Sequence, residues 1–333
     1  MILAISFLSL IQTQLMAAPK VEVPKDNPQT VEKIELGKQL YFDPRLSKSG
    51  ATSCNSCHNV MAGGDDDSSF SVGHKGQLGG RNAPTVWNSA FNTVQFWDGR
   101  AASLEAQAKG PLTNPKEMAM DSHDAVMARV KMYPDYVASF TKVFGKNNPV
   151  TIDNLANAIA SFERTLIAYN SPYDKFKAGN KKAMSASALK GMKLVEEIGC
   201  LACHAGENFN GNNMVKMGEG FYQKFPMFPD KEIEKKYDIS EDLGRYDVTK
   251  NDDDKNFWRV PTWRNVELTA PYFHNGSVKT LDEAVRVMAK VQLDKVLKED
   301  EVTSIVDFLK SLTGERPKIV APKLPEISGG TVL

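Results

Sequence analysis

Cysteine is scarce in this sequence, and none of it is spare. The four residues, Cys54, Cys57, Cys200 and Cys203, all fall in "SCNSCHNV" and "GCLACHAG", two copies of C-x-x-C-H. Net charge is absent as well. The 41 basic residues balance 41 acidic ones, which leaves no global field to gather nucleic acid or an anionic membrane. Past the N-terminus no run is apolar enough to span a bilayer. No alternation of apolar and polar residues lasts long enough to demand a sheet. The chain is nonetheless 333 residues long and 41% hydrophobic, enough for two domains with separate cores.

The cysteine spacing admits three chemistries. A redox dithiol has no need of a trailing histidine and expects a βαβ context that is not found here. A zinc site is over-supplied, because four cysteines and two histidines exceed one tetrahedral shell. Covalent c-type haem uses every residue. The cysteines form thioethers, and the next residue, His58 or His204, binds iron axially. The sequence therefore predicts two haem c groups.

The first residues, "MILAISFLSLIQTQLMAA", are mostly apolar and reach small residues before Pro19. Residues 1–18 resemble a secretory signal, although the n-region lacks Lys or Arg, so an uncleaved anchor stays open. Haem attachment to C-x-x-C-H in bacteria takes place outside the cytoplasm, which agrees with a periplasmic address.

The chain also repeats itself. His58 precedes "IASFERTL" at Ile159 by 101 residues, and His204 precedes "IVDFLKSL" at Ile305 by 101. Between them "PTVWN" and "FWDGRAASLE" match "PTWRN" and "FHNGSVKTLD" at an offset of 177, whereas the haem motifs are offset by 146. The second copy therefore carries about thirty extra residues within 207–258, an estimate resting on these two repeat periods. Helical periodicity precedes each motif, in "TVEKIELGKQLYF" and "SASALKGMKLVEEIG", and Gly199 is placed to stop the second helix. The expected architecture is mostly α, with two tandem cytochrome c-type domains, 19–175 and 176–314. An extended tail, 315–333, is expected to run over the surface.

These blocks, with "GGRNAPTVWN", "NPKEM" and "VPTWRNVELTAPYFHNGSVKTLDEAV", make the chain resemble the bacterial di-haem cytochrome c peroxidases over essentially its whole mature length. The resemblance implies reduction of hydrogen peroxide to water with two electrons from a small cytochrome c or cupredoxin. It implies a peroxidatic N-terminal haem, a high-potential C-terminal haem that receives electrons, and a homodimer.

Residue by residue, the resemblance gives the second haem Met288 as its sixth ligand. Periodicity alone would read Met288 as core, yet a Met/His pair raises haem potential. Its repeat partner, at the 177 offset, is Pro111, which has no side-chain ligand to offer, so the two haems are expected to differ. His74, in the Gly- and Ser-rich run "GGDDDSSFSVGHKGQLGG", matches a displaceable distal ligand of the first haem. Taken alone it is a loop histidine at the surface. Glu117 and Gln107 match the family's proton shuttle and its polar neighbour. Trp97 matches a tryptophan between the haems, and His274 a residue near the second haem, in a hydrogen-bonding or propionate role. Asn82, Thr269 and Pro271 match the ligands of an interdomain calcium ion, an oxygen set suited to a hard cation. His123 matches no motif and reads as surface.

Two rivals stand beside a peroxidase. A di-haem enzyme that oxidises a protein carries tyrosine on the second haem, which Met288 argues against. An electron carrier or redox sensor would keep both irons six-coordinate, which Glu117 and Gln107 argue against.

Overall fold

The computed structural model describes residues 19–326. The segment 1–18 read as a signal, and the end of the tail, lie outside the described residues. Among the described residues the first half holds α1 (Val31–Phe42), α2 (Cys54–Cys57), α3 (Leu104–Thr113), α4 (His123–Lys131), α5 (Pro134–Phe144), α6 (Ile152–Glu163) and α7 (Pro172–Lys177). The second half holds α8 (Ala186–Ile198), α9 (Lys231–Tyr237), α10 (Tyr246–Thr249), α11 (Leu281–Leu293) and α12 (Glu299–Lys310), with strands β1 (Tyr222–Lys224) and β2 (Phe257–Arg259). Hydroxyl side chains open several of these helices. Thr30, Ser103, Thr151, Ser185 and Thr280 each accept a bond from a first-turn N–H, which satisfies donors the helix cannot. Gly199 ends α8 in the left-handed conformation, with φ 102°, as its position before Cys200 predicts.

The duplication is written into the backbone. In each half the helix before the haem motif crosses the helix that closes the domain. α1 packs on α6 and α8 on α12. Both crossings need glycine. A Cβ on Gly37 would collide with the Ala158 carbonyl, and one on Gly191 with the Ser304 carbonyl; Ala158 and Ser304 are themselves 146 residues apart. Between the helices, Asn88 and Asn265 share the left-handed region, with φ 64° and 62°, and so do Phe96 and Phe273, with φ 67° and 69°. Asn88 Oδ1 accepts from the Ala168 N–H at 2.8 Å and Asn265 Oδ1 from the Gly314 N–H at 2.9 Å.

Each half also buries its own apolar core. Leu36, Leu40, Phe140, Leu155 and Phe162 lie in the first, and Val195, Ile305, Phe308 and Leu312 in the second. The linking helix α7 is tied to the second half by a buried pair, in which Arg264 donates to both Asp174 oxygens at 2.9 Å. The tail returns to the first half, where the Pro325 carbonyl accepts from Arg45 at 2.8 Å and Ile319 packs on the core.

The extra residues of the second copy behave differently from the rest. They contribute to an antiparallel pair that patterning did not anticipate, β1–β2, with Tyr222 opposite Arg259. Three residues per strand are too few for alternation to show. This segment lies against the first half. Arg81 donates to Asp98 at 2.5 Å and to Asp242 at 2.7 and 2.8 Å. The Gly218 N–H bonds the Thr93 carbonyl at 2.7 Å, and the Arg259 N–H bonds that of Trp97 at 2.9 Å. Among the described residues no helix is long and apolar enough to cross a membrane.

Candidate haem sites

Two cavities open behind the two motifs. The first, of about 640 Å³, is lined by Cys54, Cys57 and His58, with Gln107 and Glu117 also in its wall. The second, of about 240 Å³, is lined by Cys200, Cys203 and His204, with His274 and Met288. Asn82, Ala83, Pro84, Thr85, Asn92, Trp97 and Arg259 line both, so a thin shared wall separates them. Trp97 is part of that wall, and its indole N–H donates to the Asn82 carbonyl at 2.9 Å.

The two motif histidines are held alike. His58 Nδ1 lies 3.0 Å from the Pro84 carbonyl and His204 Nδ1 lies 3.0 Å from that of Phe209. A carbonyl only accepts, so Nδ1 carries the proton in each ring and Nε2 keeps its lone pair for iron. Burial lowers the pKa of both, that of His204 to about 4, so both rings stay neutral. Trp263 stacks on His204 at 4.4 Å and 22°, which fixes the ring plane. The cysteines are unpaired, and burial pushes the Cys200 thiol up to about 11 and that of Cys54 further. Such neutral thiols do not suit a redox dithiol, which needs an accessible thiolate. The donors, the apolar linings and the orphaned His274 Nε2 described below all fit haem.

On the wall of the first cavity, Glu117 accepts from Asn114 Nδ2 at 2.7 Å. Burial raises its pKa, against a lowering by Arg100 and by the Asn114 bond. Gln107 reaches the same wall from α3. His74 does not. Its loop docks on the Glu117 segment, where the His74 N–H donates to the Glu117 carbonyl at 2.9 Å, but His74 is not among the lining residues and its buried Nδ1 has no partner. His123 lines neither cavity. It is half-buried, with Nε2 3.0 Å from the Lys109 carbonyl.

In the second cavity Met288 lines the wall from α11, partly buried against the core cluster that holds Val287 and Val291. His274 is 2% exposed and stacks on Trp258 at 4.0 Å, with Trp97 edge-on at 6.5 Å. Its Nε2 is buried without a partner, and burial lowers its pKa to about 4. Sequence reasoning missed Trp258 and Trp263, which have no aromatic counterpart in the first copy.

The candidate cation residues Asn82, Thr269 and Pro271 all line the second cavity. Asn82 is pinned there, because its N–H donates to the His274 carbonyl at 2.7 Å and its Nδ2 to the Ser68 carbonyl at 2.8 Å. Thr269 and Pro271 lie in the same wall as Asn82. Nearby, Asp65 is 2% exposed with neither oxygen hydrogen-bonded, and burial pushes its carboxyl up to about 7. A Cβ on Gly63 would meet both this carboxylate and the Leu268 carbonyl. An unpartnered carboxylate near the Leu268 carbonyl is chemistry that suits a hard cation. Among the described residues no cluster of three or more His, Cys, Asp or Glu is present, so such a site would rest largely on carbonyls.

Two cavities, each lined by a C-x-x-C-H motif, in a duplicated helical frame define a tandem di-haem cytochrome. The sequence model of the di-haem cytochrome c peroxidases matches residues 31–182. The chain is 46% identical to the cytochrome c551 peroxidase of Nitrosomonas europaea over 305 residues, 91% of this chain and 86% of that protein. It is 44% identical to the cytochrome c551 peroxidase of Pseudomonas aeruginosa, over 90% and 84% of the two chains. The methylamine utilization protein MauG of Methylorubrum extorquens is 33% identical, over 96% and 88%. Among solved structures, a MauG-like protein associated with microbial copper homeostasis superposes with a TM-score of 0.77 at 27% identity, over 90% of this chain and 94% of that one. The chain belongs to the di-haem cytochrome c peroxidase family. It is an oxidoreductase, and the family carries two haem c groups.

Proposed function

We propose that this chain reduces hydrogen peroxide to water at the first cavity, using electrons that enter through the second. The observation that carries this reading is the asymmetry of the two cavities. The first offers Glu117 and Gln107 but no second histidine, and its one methionine, Met118, is buried in the first half's core, whereas the second offers the partly buried Met288 beside His204. Haem bound in each cavity supplies the one-electron chemistry. His58 and His204 would hold the iron, and Cys54, Cys57, Cys200 and Cys203 would hold the haems covalently.

Glu117 moves a proton from the inner to the outer peroxide oxygen, and Gln107 orients the substrate. The raised pKa of Glu117 brings it nearer the working pH, where proton transfer in both directions is efficient. Met288 completes the second site and raises its potential. Trp97, in the wall common to both cavities, would bridge electron transfer, and the unpartnered His274 Nε2 would serve a hydrogen-bonding or propionate role beside the second haem. Asn82, Thr269 and Pro271 hold calcium between the halves. The donor is a small cytochrome c or cupredoxin, and the names of the cytochrome c551 peroxidase relatives support the former. The working location is the periplasm, and the working unit is a homodimer.

His74 is the displaceable ligand of the first site. Its position outside the cavity lining supports an open site in this conformation, with the loop parked on the Glu117 segment. The test is peroxide turnover by oxidised and by half-reduced protein, with a reduced cytochrome as donor. Turnover that needs both Glu117 and an intact second site is expected. A protein that passes electrons but leaves peroxide unconsumed in both states would be a carrier and would refute the reading.

A further inference from the structure

One buried acid in the first cavity has no part in the steps above. Glu163 ends α6, is 4% exposed, lines the cavity, and its Oε2 is buried without a hydrogen-bond partner. Its neighbour Arg164 acts on it through charge alone, lowering its pKa, because that guanidinium bonds Glu105 at 2.6 and 3.1 Å, and Glu105 in turn raises it. The other titratable groups that sense Glu163 are Tyr41 on α1 and Cys54 on α2. Tyr41 spends its hydroxyl on the His58 carbonyl, at 2.7 Å.

A buried carboxyl oxygen without a partner is costly and calls for a reason. The duplication shows that packing is not one. The residue 146 positions on is Leu309, which lines the second cavity from the matching place on α12. The fold therefore accepts an apolar side chain here, and the acid belongs to the first cavity alone.

We propose that Glu163 is the redox-linked proton site of the first haem, taking up one proton when that haem is reduced and releasing it on oxidation. The electron comes from the donor and converts ferric to ferrous iron. The proton comes from solvent hydronium, whose O–H bond breaks as the O–H of the carboxyl forms, leaving water behind. The net charge in the buried cavity stays constant, which a low-dielectric site favours. Burial already holds the Glu163 carboxyl up at about 8. A ferric haem beside it favours the carboxylate, and the ferrous state restores the neutral acid.

The inference rests on haem occupying the first cavity. The test is spectroelectrochemical titration of both haems across neutral pH in wild type and Glu163→Gln. In wild type the first-haem reduction constant should fall with rising pH by up to tenfold per pH unit, equivalent to about 59 mV for one electron. In Glu163→Gln that slope should be lost, with the second-haem profile unmoved. Redox-difference infrared spectra of wild type should show a carboxyl band that rises on first-haem reduction and shifts in Glu163→Asp. This second readout applies even where the glutamine variant fails to fold. A slope that survives in Glu163→Gln, or a wild-type difference spectrum without the band, overturns the inference and leaves the haem assignment standing. A wild-type chain with a single haem transition overturns both.

Discussion

Replacing Glu117 by glutamine removes the acid while keeping the shape of the site. The backbone bond from the His74 N–H to the Glu117 carbonyl does not depend on the side chain, and a glutamine oxygen can still accept from Asn114 Nδ2. Fold, haem content and donor affinity should therefore be preserved. Only the proton transfer is lost. Positioned acid–base groups contribute about 10²–10⁴-fold in rate, or about 2.7–5.5 kcal/mol of barrier. The loss should fall on the peroxide step, so kcat/KM for peroxide drops while the donor's KM holds. The pH profile gives a second check. Burial raises the Glu117 pKa, so the carboxylate that starts the transfer is depleted as pH falls through that raised value. Wild-type activity should decline on that acidic side, and the variant should lose this limb. The assay is steady-state oxidation of a reduced cytochrome by peroxide. A variant with more than half of wild-type kcat/KM, or an unchanged acidic limb, would rule Glu117 out as the shuttle.

Three further outcomes are expected. Met288→His should retain both haems, lower the second-haem potential and abolish the sulfur-to-iron absorption band; an unchanged band would make Met288 core only. Gly191→Ala should destabilise the second half by about 1–3 kcal/mol, because its Cβ meets the Ser304 carbonyl; an unchanged unfolding midpoint in urea would refute that crossing. Calcium chelation should lower the melting temperature, and re-addition at a hundred times Kd should restore about 2.7 kcal/mol. Asn82→Ala should remove that calcium-dependent increment, and a chelator with no effect on wild type would refute the site.

The sequence made the repeated parts legible. Two motifs, two flanking helices and two paired blocks sufficed to mark His58 and His204, because duplication ties each residue to a counterpart, whereas Met288 and Trp97 were legible only through the family resemblance. What lacked a counterpart stayed hidden. Arg81 meets Asp242 across 161 positions, and no periodicity within either segment signals that pairing. The β1–β2 pair was too short to register. Trp258 and Asp65 matter through burial and missing partners, which only a folded chain reveals. Glu163 lies between these cases. Its mismatch with Leu309 is visible in the repeat, but its orphaned carboxyl is not.

The central claim is that the two haems are unlike, one open beside Glu117 and one closed by Met288. Electron spin resonance of the half-reduced protein, with the second haem ferrous, tests it most directly. The signal left then comes from the first haem alone. A high-spin ferric spectrum that collapses on addition of peroxide is the expected result. A low-spin spectrum indifferent to peroxide would mean that the first iron stays six-coordinate and that the chain carries electrons without cleaving peroxide.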